Sequence, residues 1–180
     1  MEKQDIQPAA CERKGALSII HSKGGLDECY PTFILASTAA AMDKDVELFF
    51  TFHGVQAMLK NTSNLRVSPM TNASMVMHMP IGPCWLRKLD LNRLLPRFVW
   101  VLPGMSMLAT WAFKKTMIQQ GQLELDELRA VCIDLGVKLT VCQMTMEMMG
   151  YQKSDFIEGI SFAGAATYFS STPENQSLFI

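Results

Sequence analysis

The sequence predicts an α/β domain of three layers: a mostly parallel sheet of about five strands with helices on both faces. Three observations carry this. Apolar strand-length runs alternate with helix-length segments from residue 15 onward, an order that implies βαβ units with right-handed crossovers. The run over 46–52 (VELFFTF) has no polar alternation on one side, the pattern of a strand covered on both faces. A chain of 180 residues is long enough to bury one sizeable core and too short for two large domains.

Taken in order, 1–14 is a polar leader, and 15–21 (GALSIIH) is a first buried strand. It ends at Ser22-Lys23-Gly24-Gly25, where the glycines permit a tight strand-to-helix turn. Residues 26–42 are alanine-rich and helix-length, and Asp27 and Glu28 suit a helix N-terminus. Pro31 fits there only in the first turn or at a kink. After the strand at 46–52, GVQAMLK begins another helix. Between 61 and 103 the prolines at 69, 80, 83, 96 and 103 interrupt regular structure. This stretch reads as an irregular Pro/Met-rich insertion that supplies a strand over 66–79 or, alternatively, at 98–102 (FVWVL). Residues 105–120 read as a helix closed by Gly121. A further helix over 123–135 carries Leu125, Leu128, Cys132 and Leu135 on one face. Residues 137–142 (VKLTVC) form a strand, followed by a short methionine-rich helix to Gly150 and a polar helical turn over 154–158. ISFAGAATYF is a last strand passing into a small-residue helix. The domain therefore spans 15–172, and the tail at 173–180 is expected to be loose or held by a partner.

With 16 basic against 17 acidic residues, the chain has no charge surplus to neutralise a run of phosphates, so nucleic acid is not an expected partner. Hydrophobic residues make up 49%, and the 14 methionines exceed what gap-filling in a core requires. That richness points to apolar surface used in assembly. The N-terminal MEKQDIQPAACERKG lacks the apolar segment of a secretion signal, so a cytoplasmic location is expected. The uncharged run at 98–113 contains Pro103 and Gly104 and falls short of the ~20 clean apolar residues that span a bilayer. The 5 cysteines are odd in number, with no C-x-x-C, which argues against a disulfide framework or a structural zinc site. Neither a cofactor nor a resident metal is expected.

In open parallel sheets, reactive groups gather beyond the carboxyl ends of the strands, where loops meet helix N-termini. Cys142 occupies that position. It closes VKLTVC and precedes QMTMEMMG, so its sulfur should face the positive end of the next helix, a setting that favours thiolate. Such a thiolate can take sulfur from a persulfide donor and pass it on. The plain alternative is an inert buried cysteine. Met144, Met146, Met148 and Met149 could line an apolar pocket beside the sulfur, or Met144 and Met148 could simply form a core stripe. Cys132 lies on the leucine face and reads as core. Cys84, in the loop Ile81-Gly82-Pro83-Cys84-Trp85, is the candidate second or resolving thiol. Cys29 and Cys11 carry little weight, and His21 and His53, each at a strand end, read as structural hydrogen-bonding residues rather than acid–base groups. A rival constellation, Met75, Met77, His78 and Met79, is a soft set suited to Cu(I), although on a strand His78 would point away from the thioethers.

Three stretches resemble the DsrE/DsrF-like sulfur-relay family in its larger, peroxiredoxin-like or putative sulfurtransferase branch: SKGGLDECYPTFILASTAAAMDKDVELFFTFHGV, LPGMSMLATWAFKK and LGVKLTVCQMTMEMMGYQKSDFIEGISFAGAATYF. They cover most of residues 15–170, and CQMTMEMMG is the most specific. The resemblance implies a flavodoxin-like fold that assembles into homo-oligomers. It also implies a cysteine, here Cys142, that holds sulfur as a persulfide and exchanges it with TusA-like carriers and rhodanese-like donors. Some relatives are described as membrane-associated, which leaves peripheral membrane contact open. Others carry a second cysteine in the middle region, where LPGMSMLATW has Ser106, so Cys84 is the nearby substitute. The expected function is a cytoplasmic sulfur carrier. The competing expectations are a thiol redox-sensing or assembly protein and a Cu(I)-binding module.

Overall fold

A computed structural model describes residues 15–67, 104–171 and 176–180. The first strand, β1 (Ala16–His21), runs into helix α1 (Leu26–Ala41), which returns to β2 (Asp45–Phe50). A 3-10 segment (Phe52–Met58) follows, then α2 (Met105–Gln119), α3 (Leu125–Asp134) and β3 (Lys138–Cys142). The short helix α4 (Gln143–Met148) leads through a 3-10 turn (Lys153–Asp155) to β4 (Ser161–Ala163), α5 (Ala165–Ser171) and β5 (Gln176–Phe179). The strands lie in the order β4-β3-β2-β1-β5, and every neighbouring pair is parallel. The expected α/β architecture with a mostly parallel sheet of five strands is what the chain adopts.

Strand residues alternate between the two faces of the sheet. Ile19, Leu48, Phe50, Leu139 and Val141 face one way and join α1 and α3 through Phe33, Leu125, Leu128 and Cys132. Phe33 stacks on Phe50 with ring centroids 5.8 Å apart. Because apolar side chains at these alternate positions lose nearly all their exposure, burial on this face dominates the favourable side of folding. The opposite face is more polar. Ser18, Glu47 and Lys138 are aligned across β1, β2 and β3, and Lys138 Nζ lies 2.9 Å from Glu47 Oε1. On this side Phe49, Cys142 and Tyr168 of α5 form a second, small buried cluster. Helices therefore cover both faces.

Several elements differ from expectation. The strand expected at 46–52 stops at Phe50, and the helix expected from Gly54 is a 3-10 segment that starts at Phe52. The backbone leaves the sheet at Thr51, whose N–H donates to His21 O, and Phe52 takes a left-handed φ of 47°. Pro31 lies inside α1 beyond the first turn, which removes the first of its two expected placements. Residues 176–179, expected in a tail that is loose or held by a partner, form β5 against β1 of the same chain, with Leu178 opposite Ile19. The reason is long-range: β1 has an edge to be paired, and a four-residue strand has little periodicity of its own to announce it. Within the expected irregular insertion, Leu65 and Val67 are core residues. The leader, both alternative strands at 66–79 and 98–102 beyond residue 67, and the rest of the insertion lie outside the described residues.

Candidate functional site

The carboxyl ends of β1, β2 and β3 meet three junctions: Ser22-Lys23-Gly24-Gly25, Thr51-Phe52-His53-Gly54, and Cys142 itself. Close approach explains two of the glycines. A Cβ on Gly24 would lie 2.9 Å from His53 Cβ, and one on Gly54 would lie 2.4 Å from His21 O. The first junction is thus packed against the second, and neither Gly24 nor Gly54 has a positive φ.

Cys142 ends β3 and directly precedes the first turn of α4, with an extended backbone at φ −66° and ψ 112°. It stands at the strand end where the sequence places it. It is also 3% exposed, beneath Phe49 and Tyr168. Helix α4 is fastened by Thr145, whose Oγ1 accepts the Phe52 N–H at 3.4 Å and lies 3.4 Å from Thr51 Oγ1. Substituting Thr145→Val keeps the shape and leaves the Phe52 N–H without this acceptor. The expected cost is about 1 kcal/mol, read as a lowering of Tm by a few degrees in a thermal melt.

The methionines are arranged differently from both sequence readings. Met146 is buried in the main core, while Met144 and Met148 are exposed at 72% and 64%. They neither line a pocket beside the sulfur nor form a core stripe, because the single short helix turns Thr145 and Met146 inward instead. The buried neighbours of the thiol are aromatic. Glu147 is exposed and accepts a hydrogen bond from Gln143 Nε2 at 2.8 Å.

The other thiols of the described residues are free and sealed. Cys132 lies 3.6 Å from Phe33 O, and burial pushes its pKa up to about 11, in keeping with a core residue. Cys29 donates to Gly25 O at 3.2 Å, and its Sγ lies 3.7 Å from His21 Nε2. Burial, reinforced by Asp27 and Glu28, pushes the Cys29 thiol up to about 12. His21 is fully buried, with Nδ1 2.9 Å from Thr32 Oγ1. Burial lowers its pKa to about 4 despite the nearby Glu28 carboxylate, so His21 is neutral at ordinary pH and serves structurally. His53 is exposed. Cys84 and Cys11, the candidate Cu(I) set Met75, Met77, His78 and Met79, and Trp85 and Trp100 lie outside the described residues.

Sequence reasoning missed Phe49 and Tyr168, which cluster with Cys142, and Ser18, the hydrogen-bond partner of Tyr168. Tyr168 stacks on Phe49 with centroids 4.4 Å apart and an interplanar angle of 28°, and its hydroxyl hydrogen-bonds Ser18 Oγ. The only local signal was a lone tyrosine in a small-residue helix. Among the described residues, no helix is long and apolar enough to cross a membrane.

The sequence is 41% identical over 160 residues to the "Sulfur carrier protein DsrE2" of Allochromatium vinosum, covering 89% of this chain and 94% of that one. It is 29% identical over 171 residues to the "Uncharacterized protein YrkE" of Bacillus subtilis, covering 94% and 99%. Among solved structures, the ychN protein from E. coli aligns with a TM-score of 0.51 at 11% identity, covering 92% of this chain and 99% of that one, a likeness of fold alone. The model of the DsrE/DsrF/DrsH-like family matches residues 13–179. With a family match spanning nearly the whole chain and a 41% identical relative of almost equal extent, this protein belongs to the DsrE/DsrF/DrsH-like family.

Proposed function

We propose that this protein is a sulfur-relay component that carries sulfane sulfur as a persulfide on Cys142 and exchanges it with other proteins. The observation that carries the reading is the position of Cys142, the last residue of β3 and the one that leads into α4 at the carboxyl edge of a parallel sheet. The 41% identity to a protein named as a sulfur carrier supports the same reading. In the loading step, the Cys142 thiolate attacks the outer sulfur of a donor persulfide. A new S–S bond forms, the donor's S–S bond breaks, and the donor leaves as its thiolate. In unloading, an acceptor thiolate attacks the outer sulfur of the Cys142 persulfide and releases the Cys142 thiolate. No external oxidant or reductant is consumed in either step.

A rhodanese-like donor and a TusA-like acceptor are the partners the family resemblance suggests. Cys84 is the proposed second thiol, acting in unloading. The protein works as a homo-oligomer in the cytoplasm in this reading, with exposed apolar residues such as Trp111 and Met107 available for assembly.

The test incubates reduced protein with inorganic polysulfide and locates added sulfur by intact and peptide mass spectrometry. The wild type is expected to gain one sulfur on the Cys142 peptide and lose it to an acceptor thiol protein, while Cys142→Ser falls to background. Cys84→Ser should load normally and unload more slowly. Loading of Cys142→Ser to the wild-type level would sink the proposal.

A further inference from the structure

The chain passes from β4 at one edge of the sheet to β5 at the other, crossing the face of β3, β2 and β1. Four inter-strand spacings separate those edges, about 19 Å. Helix α5 is the middle of this strap, and it lies on the face that carries Cys142. Of its residues 165–170, Tyr168 alone is buried, at 2% exposure, whereas the adjacent Phe169 is 68% exposed. Seven residues are too few to hold a helix without tertiary support. Among the described side chains of the helix, Tyr168 is therefore the anchor: its ring on Phe49, and its hydroxyl on Ser18 of β1. That same ring completes the cluster that buries Cys142.

We propose that Tyr168 gates access to the Cys142 thiol, with the Ser18 hydroxyl as its latch and α5 as the element that lifts. The proposal rests on the reading of Cys142 as the sulfur-bearing residue and deepens it: sulfur enters and leaves only while Tyr168 is displaced from Phe49. A short helix held by this anchor opens at low cost relative to global unfolding, so exchange proceeds from the folded protein. The closed state shields a persulfide from water and from stray thiols. Tyr168 takes no part in the sulfur chemistry and acts as a positioning residue.

The experiment follows alkylation by iodoacetamide of the native full-length protein at neutral pH, quantified separately on the Cys142, Cys29 and Cys132 peptides. Tyr168→Phe and Ser18→Ala remove the latch and keep the ring, and each should speed Cys142 alkylation about fivefold. Tyr168→Ala removes the cover and should speed it by about a hundredfold. Cys29 and Cys132, buried in the main core, should remain slow in every variant. Equal Cys142 rates in wild type and variants would overturn the gate. So would acceleration of all three cysteines together, which marks general loosening of the fold. Parallel exposure to inorganic polysulfide separates the two proposals. Faster alkylation with no sulfur gained by any sample leaves the gate standing and removes the carrier function; sulfur gained equally fast by wild type and Tyr168→Phe leaves the carrier function and removes the gate.

Discussion

Gly54→Ala should reduce the unfolding free energy by about 3 kcal/mol in a urea titration followed by far-UV circular dichroism. The added Cβ would lie 2.4 Å from His21 O, 2.8 Å from His21 Cδ2 and 2.9 Å from His21 C. None of these atoms can yield easily. The carbonyl accepts the Thr51 N–H at 2.9 Å, and the ring is held by Thr32 on α1. Relief therefore requires the end of β1 to part from the 3-10 segment, which also strains the Gly54 N–H bond to Ser22 O at 3.2 Å. Phe52 lies two residues away, so the same displacement loosens the Thr145 anchor of α4 and reaches Cys142 through the backbone. Gly164→Ala is the matched control: nothing lies within 4 Å of its Cβ position, and its change should stay within about 0.5 kcal/mol. A Gly54→Ala protein as stable as this control would show that the junction accommodates the methyl group by movement elsewhere.

The layered α/β fold was legible because its signals are local and repeated. The runs over 15–21 and 46–52 are apolar through strand length, and the segments that became α1, α2 and α3 have helical length with glycine or acidic residues at their ends. What escaped reading depends on distant pairing. SLFI has no pattern that distinguishes an edge strand from a free tail, and only the unpaired side of β1 gives it a partner. At the site, the position of Cys142 followed from strand-then-helix order, which left a reactive thiolate and a buried cysteine both open; the structure shows it buried. The residues that cover it, Phe49 of β2 and Tyr168 of α5, lie far from it in sequence or in another element, and no spacing rule joins Tyr168 to Ser18, 150 positions apart. The methionines misled for the converse reason. Their density suggested a pocket, but a helix of six residues has only one inward turn, and Thr145 and Met146 occupy it.

Between pH 7 and pH 5 the protein should lose about 2 kcal/mol of stability through His21 alone. Its pKa falls from 6.5 in the unfolded chain to about 4 in the fold, chiefly because burial disfavours the imidazolium. As pH drops, the unfolded chain binds this proton first. The stabilisation is therefore complete above about pH 6.5, is lost progressively as pH falls, and is gone below about pH 4, a total of about 3 kcal/mol. Most carboxylates titrate at the lower end of this window, so its upper part reports mainly on histidine. Denaturation at pH 7, 6 and 5 should show the slope in wild type and in His53→Gln, whose parent side chain is exposed. His21→Gln should begin less stable and stay nearly flat over that range. A His21→Gln protein with the wild-type slope would remove His21 as the cause. The alkaline limb has the opposite sign. Cys29 is raised from 9.0 to about 12, so its neutral thiol stabilises fully below pH 9 and that contribution is lost as pH climbs toward 12. The two groups are 3.7 Å apart at the β1–α1 junction, and both must be uncharged for it to pack. A plateau from about pH 7 to pH 9 follows, and Cys29→Ala should shrink the alkaline limb, leaving the part contributed by Cys132 and Tyr30, which burial likewise raises, while the acid limb stays in place.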